Sequence, residues 1–467
     1  MSLASFVDKF FALEYTHGLI VRRGGRTLVE TYRAPCGPAD RHQLFSLSKS
    51  FTSTAFGIAC GEGLISLEDK LVDIFPEYVT DKVTDRMRRV TMRDLLTMSS
   101  GHAACCLLGP RYSRFGDGRP FDNDLPWAQN ILEDELPFEP GAQFVYNSGA
   151  TYLVSASLRK VTGQGILDYL RPRFLRPVGI ADDVVWDRDP HGVELGGWGF
   201  NLSVREIAAA AEVWLHQGRG PDGRQLIPED YMRLATSLQI SNGNPAEPSD
   251  WSQGYGFQFW QCRHGCFRGD GASGQLAVMI PKYDAIVAAT AGLCDMQREL
   301  DVLWDELLPA LEADDTEWMP PAECDAPAFD MGGTGASNDA FSRLAFDAAP
   351  NALGIVRVEA RQVAEGLDVA LLFDDGIEDV VHAGYVAQRR SALTHIDRRH
   401  CFEGYGRCRW ISPTAAEIKL AVPCSTSFFT IVLDTAARTL NSKTPIWFGQ
   451  DRKTDVTVAA ADKKENL

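Results

Sequence analysis

Apolar and polar positions near the N-terminus predict a short helix followed by two paired strands. Residues 4 to 13 carry apolar side chains at helical spacing. Leu19-Ile20-Val21 and Leu28-Val29-Glu30 are short apolar runs on either side of Gly24-Gly25. Two such runs around a glycine turn are typical of a β-hairpin.

A second hairpin and a closing helix are predicted near residue 300. Leu276 to Ile280 and Ala285 to Ala291 are apolar runs separated by a turn that contains Pro281 and Asp284. The segment after them has helical periodicity, with apolar side chains at Met296, Leu300, Leu303 and Leu307.

The chain between the two hairpins is predicted to be mainly helical. One apolar stripe ends at Gly61 and consists of Leu47, Phe51, Ala55 and Ile58. Thr91-x-x-Asp94 and Ser203-x-x-Glu206 have the pattern of capping boxes before further apolar runs. Strands at both ends with helices between them predict an α+β fold, in which one antiparallel sheet is flanked by helices.

The composition changes after residue 311. Residues 312 to 338 are acidic and rich in Pro, Gly and Ala, which is typical of a linker. Beyond it, four apolar or alternating runs predict short antiparallel strands over 355–360, 367–373, 416–422 and 428–433. We therefore expect a first domain over 1–311, a linker over 312–338 and a C-terminal all-β, barrel-like domain over 339–467, interpreted as a packing or lid module.

Composition and charge exclude several classes of partner. The chain has 467 residues, 45% apolar content and a formal charge of −17, which repels nucleic acid and anionic lipid. No apolar run is long enough for a membrane span, and residues 1–13 lack the pattern of a signal peptide. Eleven cysteines without a framework are typical of reduced thiols. We expect a cytoplasmic protein that binds neither nucleic acid nor membrane.

Ser46-Leu47-Ser48-Lys49 carries the most specific chemistry in the chain. Positions i and i+3 share one face of a helix, so the Ser46 hydroxyl and the Lys49 amine can form a hydrogen bond. A desolvated lysine loses its proton near neutral pH and can then accept the serine proton. Because this four-residue pattern also occurs by chance, its interpretation depends on the other motifs.

Two further segments follow in a specific order. Phe144-Val145-Tyr146-Asn147-Ser148 lies about a hundred residues on, and Gly269-Asp270-Gly271 opens the second hairpin. With Ser46 and Lys49, they make residues 17 to 310 resemble the serine β-lactamase and penicillin-binding-protein superfamily, including its class C β-lactamase, esterase and D-aminopeptidase branches. The resemblance implies a β-lactamase/transpeptidase-like fold and an acyl-enzyme mechanism that requires no metal or organic cofactor.

The resemblance also implies roles for individual residues. Ser46 corresponds to the acylated nucleophile, Lys49 to its partner and Tyr146 to the general base and acid. The backbone amides of Ser46 and Ala272 would form the oxyanion hole. Candidate substrate contacts are Ser148, which stands where the family usually has asparagine, together with Asp270, Gly271 and His102.

The third motif departs from the family pattern. Gly269-Asp270-Gly271 stands where Lys-Thr-Gly or His-x-Gly is usual, so the cation that faces the carboxylate of a β-lactam is missing. Arg268 or His264 could replace it, but residues next to each other on a strand face opposite ways. Weak or absent β-lactamase activity is therefore expected.

Other interpretations remain beside this one. Cys262-x-His264-x-Cys266, and His400-Cys401 with Cys408, lack a second ligand pair for zinc. His102 could be an ordinary loop histidine, and Tyr255 and Trp260 could wall the pocket or belong to the core. The sequence contains no Gly-x-Ser-x-Gly turn, which argues against a Ser-His-Asp hydrolase. A catalytically silent binding or sensor protein, or a D-amino-acid amidase or peptidase, remains an alternative.

The sequence thus predicts a serine hydrolase acting on a small ester or amide. It leaves open the physiological substrate and the oligomeric state. No sequence pattern in the pocket loops around residues 102 to 130 identifies the substrate. These loops include Arg111, Tyr112, Arg114 and Phe115.

Overall fold

The computed structural model describes residues 2–13, 15–107, 121–122, 124–293, 295–314, 322–323, 331, 334–351, 353–393, 402–422, 427–443 and 456–461. The chain separates into two compact units. The larger unit comprises 1–31, 43–291 and 295–323, and the smaller comprises 32–42, 292–294 and 324–467. The predicted boundaries at 311 and 338 stay predictions, because much of the expected linker lies outside the described residues.

The larger unit has an α+β architecture. Its described strands, with β3 at the edge of this unit, are β1 (Thr16–Arg23), β2 (Arg26–Tyr32), β3 (His42–Gln43), β4 (Asn201–Leu202), β5 (Trp260–Gln261), β6 (Phe267–Gly271), β7 (Gln275–Ile280), β8 (Ala285–Ala291) and β9 (Ala322–Glu323). Its described helices are α1 (Leu3–Phe11), α2 (Ser48–Gly61), α3 (Leu71–Ile74), α4 (Met92–Leu96), α5 (Trp127–Leu132), α6 (Ser148–Thr162), α7 (Ile166–Leu170), α8 (Val204–Leu215), α9 (Glu229–Ala235), α10 (Met296–Val302) and α11 (Leu308–Glu312).

The main sheet draws its strands from both ends of this unit. Its seven strands run in the order β5-β6-β7-β8-β1-β2-β9, and β1 pairs antiparallel with β8. Every residue of β7 and β8 is buried, so both faces of the sheet are covered. Helix α8 packs on β1, β7 and β8. The predicted α+β sheet flanked by helices is confirmed.

Local signals in the sequence account for many of these helix ends. Both predicted capping boxes are present, at Thr91 with Asp94 before α4 and at Ser203 with Glu206 before α8. Helix α6 ends at Gly163, whose φ of 69° is a left-handed cap. The predicted amphipathic helix after β8 is divided, because a π-helical turn at Leu303–Leu307 separates α10 from α11.

The smaller unit is an all-β half-barrel. Its strands are β10 (Arg343–Asp347), β11 (Ile355–Val363), β12 (Gly366–Phe373), β13 (Glu378–Gly384), β14 (Arg389–Leu393), β15 (Phe402–Trp410), β16 (Ala415–Val422), β17 (Ser427–Asp434), β18 (Thr439–Lys443) and β19 (Val456–Ala459). They form one ten-stranded sheet around a single apolar core. The two ends of the sheet come together just after β10, where Ala349 N donates to Ala459 O of β19 at 2.9 Å. The predicted C-terminal all-β domain is confirmed.

No helix among the described residues combines the length and the apolar character that a membrane crossing needs.

Candidate active site

Ser46 lies in a 3₁₀ turn, Phe45–Leu47, immediately before α2. From residue 42 to residue 50, every residue except Ser46 is buried. Phe45 adopts a left-handed backbone conformation with φ 46°. Such a conformation is strained for a residue with a Cβ and is found often at functional sites. A tightly packed segment therefore presents the Ser46 hydroxyl at an accessible position.

The amine of Lys49 is enclosed by three oxygen atoms. Its Nζ lies 3.0 Å from Ser46 Oγ, 3.1 Å from Ser148 Oγ and 2.7 Å from the carbonyl oxygen of Gly197. A neutral amine has two N–H groups and one lone pair. It can therefore donate to Gly197 and Ser148 while its lone pair faces the Ser46 hydroxyl. This set of partners suits a lysine that accepts a proton from Ser46.

Burial makes the neutral form of Lys49 accessible at physiological pH. The side chain is 1% exposed. Desolvation lowers the pKa of Lys49 from 10.5 to about 7, and interactions with Cys105 and Asp270 oppose part of this change. About half of the Lys49 amines are thus unprotonated near pH 7.

Tyr146 lies just before α6 and is held by aromatic packing. Its ring stacks on Trp260 with centroids 5.4 Å apart, and Lys49 Nζ lies 4.8 Å from the ring centre. The side chains of Ser46 and Tyr146 interact, and this interaction lowers the pKa of the phenol. Burial raises the pKa of Tyr146 well above its ordinary value of 10, so the phenol keeps its proton at neutral pH. This favours a role as proton donor over a role as phenolate base.

Asn147 and Ser148 face different surroundings. Asn147 caps α6, where its Oδ1 accepts hydrogen bonds from Gly149 N at 2.9 Å and from Cys106 N at 3.1 Å. Ser148 instead contacts Lys49. The structure therefore brings Ser148, and not the neighbouring asparagine, to the Lys49 amine.

The third motif is shaped by packing against α2. An ideal Cβ at Gly269 would lie 2.4 Å from Leu47 Cδ1 and 2.7 Å from Ser50 Oγ. Position 269 faces α2 and the turn before it, and the space that a side chain would occupy is already filled. A cation therefore has no room there. Arg268 lies on the opposite face of β6, as strand alternation predicts, and its Nε donates to Asp270 Oδ2 at 2.8 Å.

Strand β6 passes close to the chain that precedes Ser46. An ideal Cβ at Gly271 would lie 2.0 Å from the carbonyl oxygen of Leu44, so only glycine fits there. The turn after Gly271 is fixed by Gln275, whose Nε2 donates to Ala272 O at 3.2 Å. The oxyanion hole formed by the Ser46 and Ala272 amides stays a prediction, which this close approach supports.

Two contacts at the site were missed by reasoning from the sequence. The Gly197 carbonyl belongs to Gly196-Gly197-Trp198-Gly199, a glycine-rich run whose packing against Ser148 could have been a signal. The other contact is Cys105, whose Sγ accepts the backbone N–H of Ser148 at 3.2 Å. No motif identified either residue, because one makes its contact through the backbone and a single cysteine carries no sequence pattern.

His102 lies in the interior of its loop. It is 2% exposed, and its Nδ1 lies 2.9 Å from Ser100 Oγ. Burial lowers the pKa of His102 to about 4. These surroundings favour the interpretation as a loop histidine, and contact with substrate stays a prediction. The predicted pocket residues Arg111, Tyr112, Arg114 and Phe115 lie outside the described residues.

The remaining candidate residues have structural surroundings. Burial raises the pKa of Cys262 to about 11, which disfavours the thiolate that zinc needs. His264 is exposed and adopts φ 62° in the turn between β5 and β6. Cys408 is buried in the smaller unit, where its Sγ donates to Ala383 O at 3.2 Å. His400 and Cys401 lie outside the described residues.

Comparison with known proteins identifies the family. The profile of the family described as Beta-lactamase matches residues 16–292, which is more than half of the chain. The chain belongs to the beta-lactamase family. This result confirms the resemblance that the order of the motifs indicated, and it makes the protein a hydrolase.

Relatives of this beta-lactamase-family chain include a dimer hydrolase and an esterase. It is 23% identical over 281 residues to the 6-aminohexanoate-dimer hydrolase of Paenarthrobacter ureafaciens, covering 58% of this chain and 71% of that protein. It is 28% identical over 249 residues to the lovastatin esterase of Penicillium rubens, covering 48% of this chain and 62% of that protein.

Among solved structures, the octameric penicillin-binding protein homologue of Pyrococcus abyssi has a similar fold. The TM-score is 0.50 at 14% identity, and the match covers 98% of this chain and all of the other. The likeness extends beyond the family match into the C-terminal half-barrel. At this identity it is evidence of fold alone.

Proposed function

We propose that this protein hydrolyses small esters or amides through an acyl-enzyme on Ser46. The environment of Lys49 carries the proposal: three oxygen partners, almost complete burial and a pKa lowered to about 7. A lysine with these properties can remove the Ser46 proton without a histidine.

The steps follow from the positions of the groups. The neutral amine of Lys49 takes the Ser46 proton as Oγ attacks the substrate carbonyl. The amides of Ser46 and Ala272 donate to the oxyanion. Tyr146 protonates the departing alcohol or amine and is reprotonated from Lys49. Water then attacks the acyl-enzyme, giving the acid and restoring the Ser46 hydroxyl.

The substrate class is proposed from the third motif. Penicillins and cephalosporins carry a carboxylate, and the side of β6 that faces α2 has no room for a cation at position 269. Arg268 is already paired with Asp270. We therefore expect neutral esters to be turned over better than β-lactams.

A reducing, cytoplasmic location is also part of the proposal. Six cysteines in the described parts of the chain are free thiols, namely Cys60, Cys105, Cys106, Cys262, Cys266 and Cys408, and burial raises the pKa of several of them. Unpaired, protonated thiols are compatible with the reduced cytoplasm. A secreted enzyme would need a different explanation for them.

A side-by-side turnover panel tests the proposed function. The substrates are short-chain 4-nitrophenyl esters, D-amino-acid amides and a chromogenic cephalosporin, each assayed with wild type and with Ser46→Ala. We expect measurable hydrolysis of at least one ester, little or no cephalosporin turnover, and no turnover above background by the Ser46→Ala protein. Cephalosporin turnover faster than that of every ester would overturn the assignment of substrate class.

A further inference from the structure

Strand β6 places Arg268 and Asp270 on one face and Gly269 and Gly271 on the other. The glycine face approaches α2 and the chain before Ser46. On the opposite face, Arg268 Nε donates to Asp270 Oδ2 at 2.8 Å. The charged side chain within the third motif is therefore a carboxylate, and it is held by an arginine on the same face of the strand.

Arg268 is enclosed and has no access to a substrate. Its side chain is 0% exposed. The guanidinium carbon lies 4.7 Å from the ring centre of Trp251 and 5.5 Å from that of Trp260. Its Nη1 donates to the Asp250 carbonyl oxygen at 2.9 Å. The carboxylate of Asp270 is the ion-pair partner of Arg268, and the positive charge of Arg268 lowers the pKa of that carboxyl against the rise that burial causes.

One carboxylate oxygen of Asp270 is available for a further hydrogen bond. Oδ2 is taken by Arg268, while Oδ1 makes no hydrogen bond to any residue that the structure describes. The Asp270 side chain retains 7% exposure. Trp260 links this pair to the candidate site, because its ring centre lies 5.5 Å from the Arg268 guanidinium and its ring stacks on Tyr146 with centroids 5.4 Å apart. A carboxylate with a free oxygen recognises hydrogen-bond donors, most strongly a cation.

At Lys49 and Tyr146, the negative charge of Asp270 has a larger electrostatic effect than the positive charge of Arg268. Asp270 raises the pKa of Lys49, and it raises the pKa of Tyr146 by more than Arg268 lowers it. Burial raises the pKa of Asp270 and Arg268 opposes that rise, so the ion pair holds the carboxylate in place without cancelling its effect on Lys49 and Tyr146. A substrate ammonium is attracted there and a substrate carboxylate is repelled.

We propose that Asp270, held by Arg268, is a specificity residue that selects esters or amides bearing an ammonium group near the scissile carbonyl. The inference rests on the proposed Ser46 hydrolysis and adds to it the charge of the preferred substrate. The free Oδ1 accepts a hydrogen bond from the ammonium, and the buried arginine keeps the carboxylate in place.

Wild-type protein alone provides the first test. The probes are the 4-nitrophenyl esters of butanoate, β-alanine and succinate, which present a methyl, an ammonium or a carboxylate at the same distance from the carbonyl. After subtraction of spontaneous hydrolysis, we expect kcat/KM for the β-alanine ester to exceed that for the succinate half-ester by at least about tenfold. Equal values for these two esters, with the butanoate ester turned over, would overturn the inference and leave the proposed function intact. Absence of all three activities would instead count against the proposed function.

Two variants separate the charge of Asp270 from its structural role. Asp270→Asn keeps the shape but leaves Arg268 without its counter-charge, so the preference should reverse toward the succinate ester. The double change Arg268→Met with Asp270→Asn removes both charges, and the ratio of the two kcat/KM values should approach one. Near-ultraviolet circular dichroism checks that each variant is folded. If Asp270→Asn does not fold, the double variant decides, and a wild-type preference that survives in it would refute the role of Asp270.

Discussion

Acidification should inactivate the enzyme by protonating Lys49, and the structure gives the magnitude. The pKa of Lys49 falls from 10.5 to about 7 on burial, which corresponds to ~5 kcal/mol in favour of the neutral amine. Below pH 7 the unprotonated fraction decreases tenfold for each pH unit. At pH 5 we therefore expect about a hundredth of the plateau activity.

The assay is kcat/KM for 4-nitrophenyl butanoate between pH 5 and pH 9 at constant ionic strength. We expect one acid limb with an apparent pKa near 7 and a slope of one. His102 is not its source, because burial lowers the pKa of His102 to about 4. Since Asp270 raises the pKa of Lys49, the limb of Asp270→Asn should lie at lower pH. Activity that still increases tenfold per pH unit between pH 8 and pH 9, or a flat profile across the range, would refute the assignment of Lys49 as the base.

The same titration affects stability with a defined sign. The pKa of Lys49 is lower in the folded protein than the ordinary value of 10.5. The unfolded chain therefore binds more protons between about pH 7 and pH 10.5, and the contribution of Lys49 to stability increases with pH over that interval. Urea titrations should show Lys49→Met to be more stable relative to wild type at pH 7 than at pH 10. The opposite ordering would mean that the folded state holds a charged lysine.

The remaining predictions concern the groups around the nucleophile. Tyr146→Phe should lower kcat at least about a hundredfold, and adding Lys49→Ala should cost little more, because groups that act as a unit are not additive; full additivity in this cycle would indicate separate steps. Asn147→Ala should reduce the free energy of unfolding by about 1 to 2 kcal/mol through loss of the helix cap while kcat changes little. Ser148→Ala should lower kcat modestly while the free energy of unfolding changes little. An exchange of these two phenotypes would contradict the assigned contacts. Gly271→Ala should fold poorly, since its Cβ would lie 2.0 Å from a carbonyl oxygen, and a fully active Gly271→Ala protein would contradict that packing.

The elements that bring the site together could be predicted because their signals are local. Capping boxes, a hairpin turn and the spacing of Ser46 and Lys49 each concern a few neighbouring residues, and the order of the three motifs then indicated the family. The smaller unit shows the limit of this approach. Strands β13, β14 and β15 escaped prediction because charged residues interrupt their alternation, as at Glu378-Asp379 and Arg389-Arg390.

Long-range contacts through the backbone could not be predicted. Lys49 completes its hydrogen bonds with the carbonyl oxygen of Gly197, which is 148 residues away and offers no side chain as a signal. In the sequence, Gly269 indicated only that the family's cation is missing. In the structure, Leu47 and Ser50 pack so closely against this position that a side chain does not fit. Strand alternation did indicate that Arg268 faces away from Gly269. Trp251 and Trp260 enclose Arg268 and leave it to pair with Asp270. A single sequence does not reveal this enclosure.

Covalent labelling of the nucleophile tests the central claim most directly. Folded wild-type protein is incubated with a fluorophosphonate, its intact mass is measured, and the adduct is located by peptide mapping. We expect a single adduct on Ser46, formed more slowly by Lys49→Ala and not at all by Ser46→Ala. An adduct on any other residue, or folded wild-type protein that remains unlabelled, would contradict the assignment of Ser46 as the nucleophile.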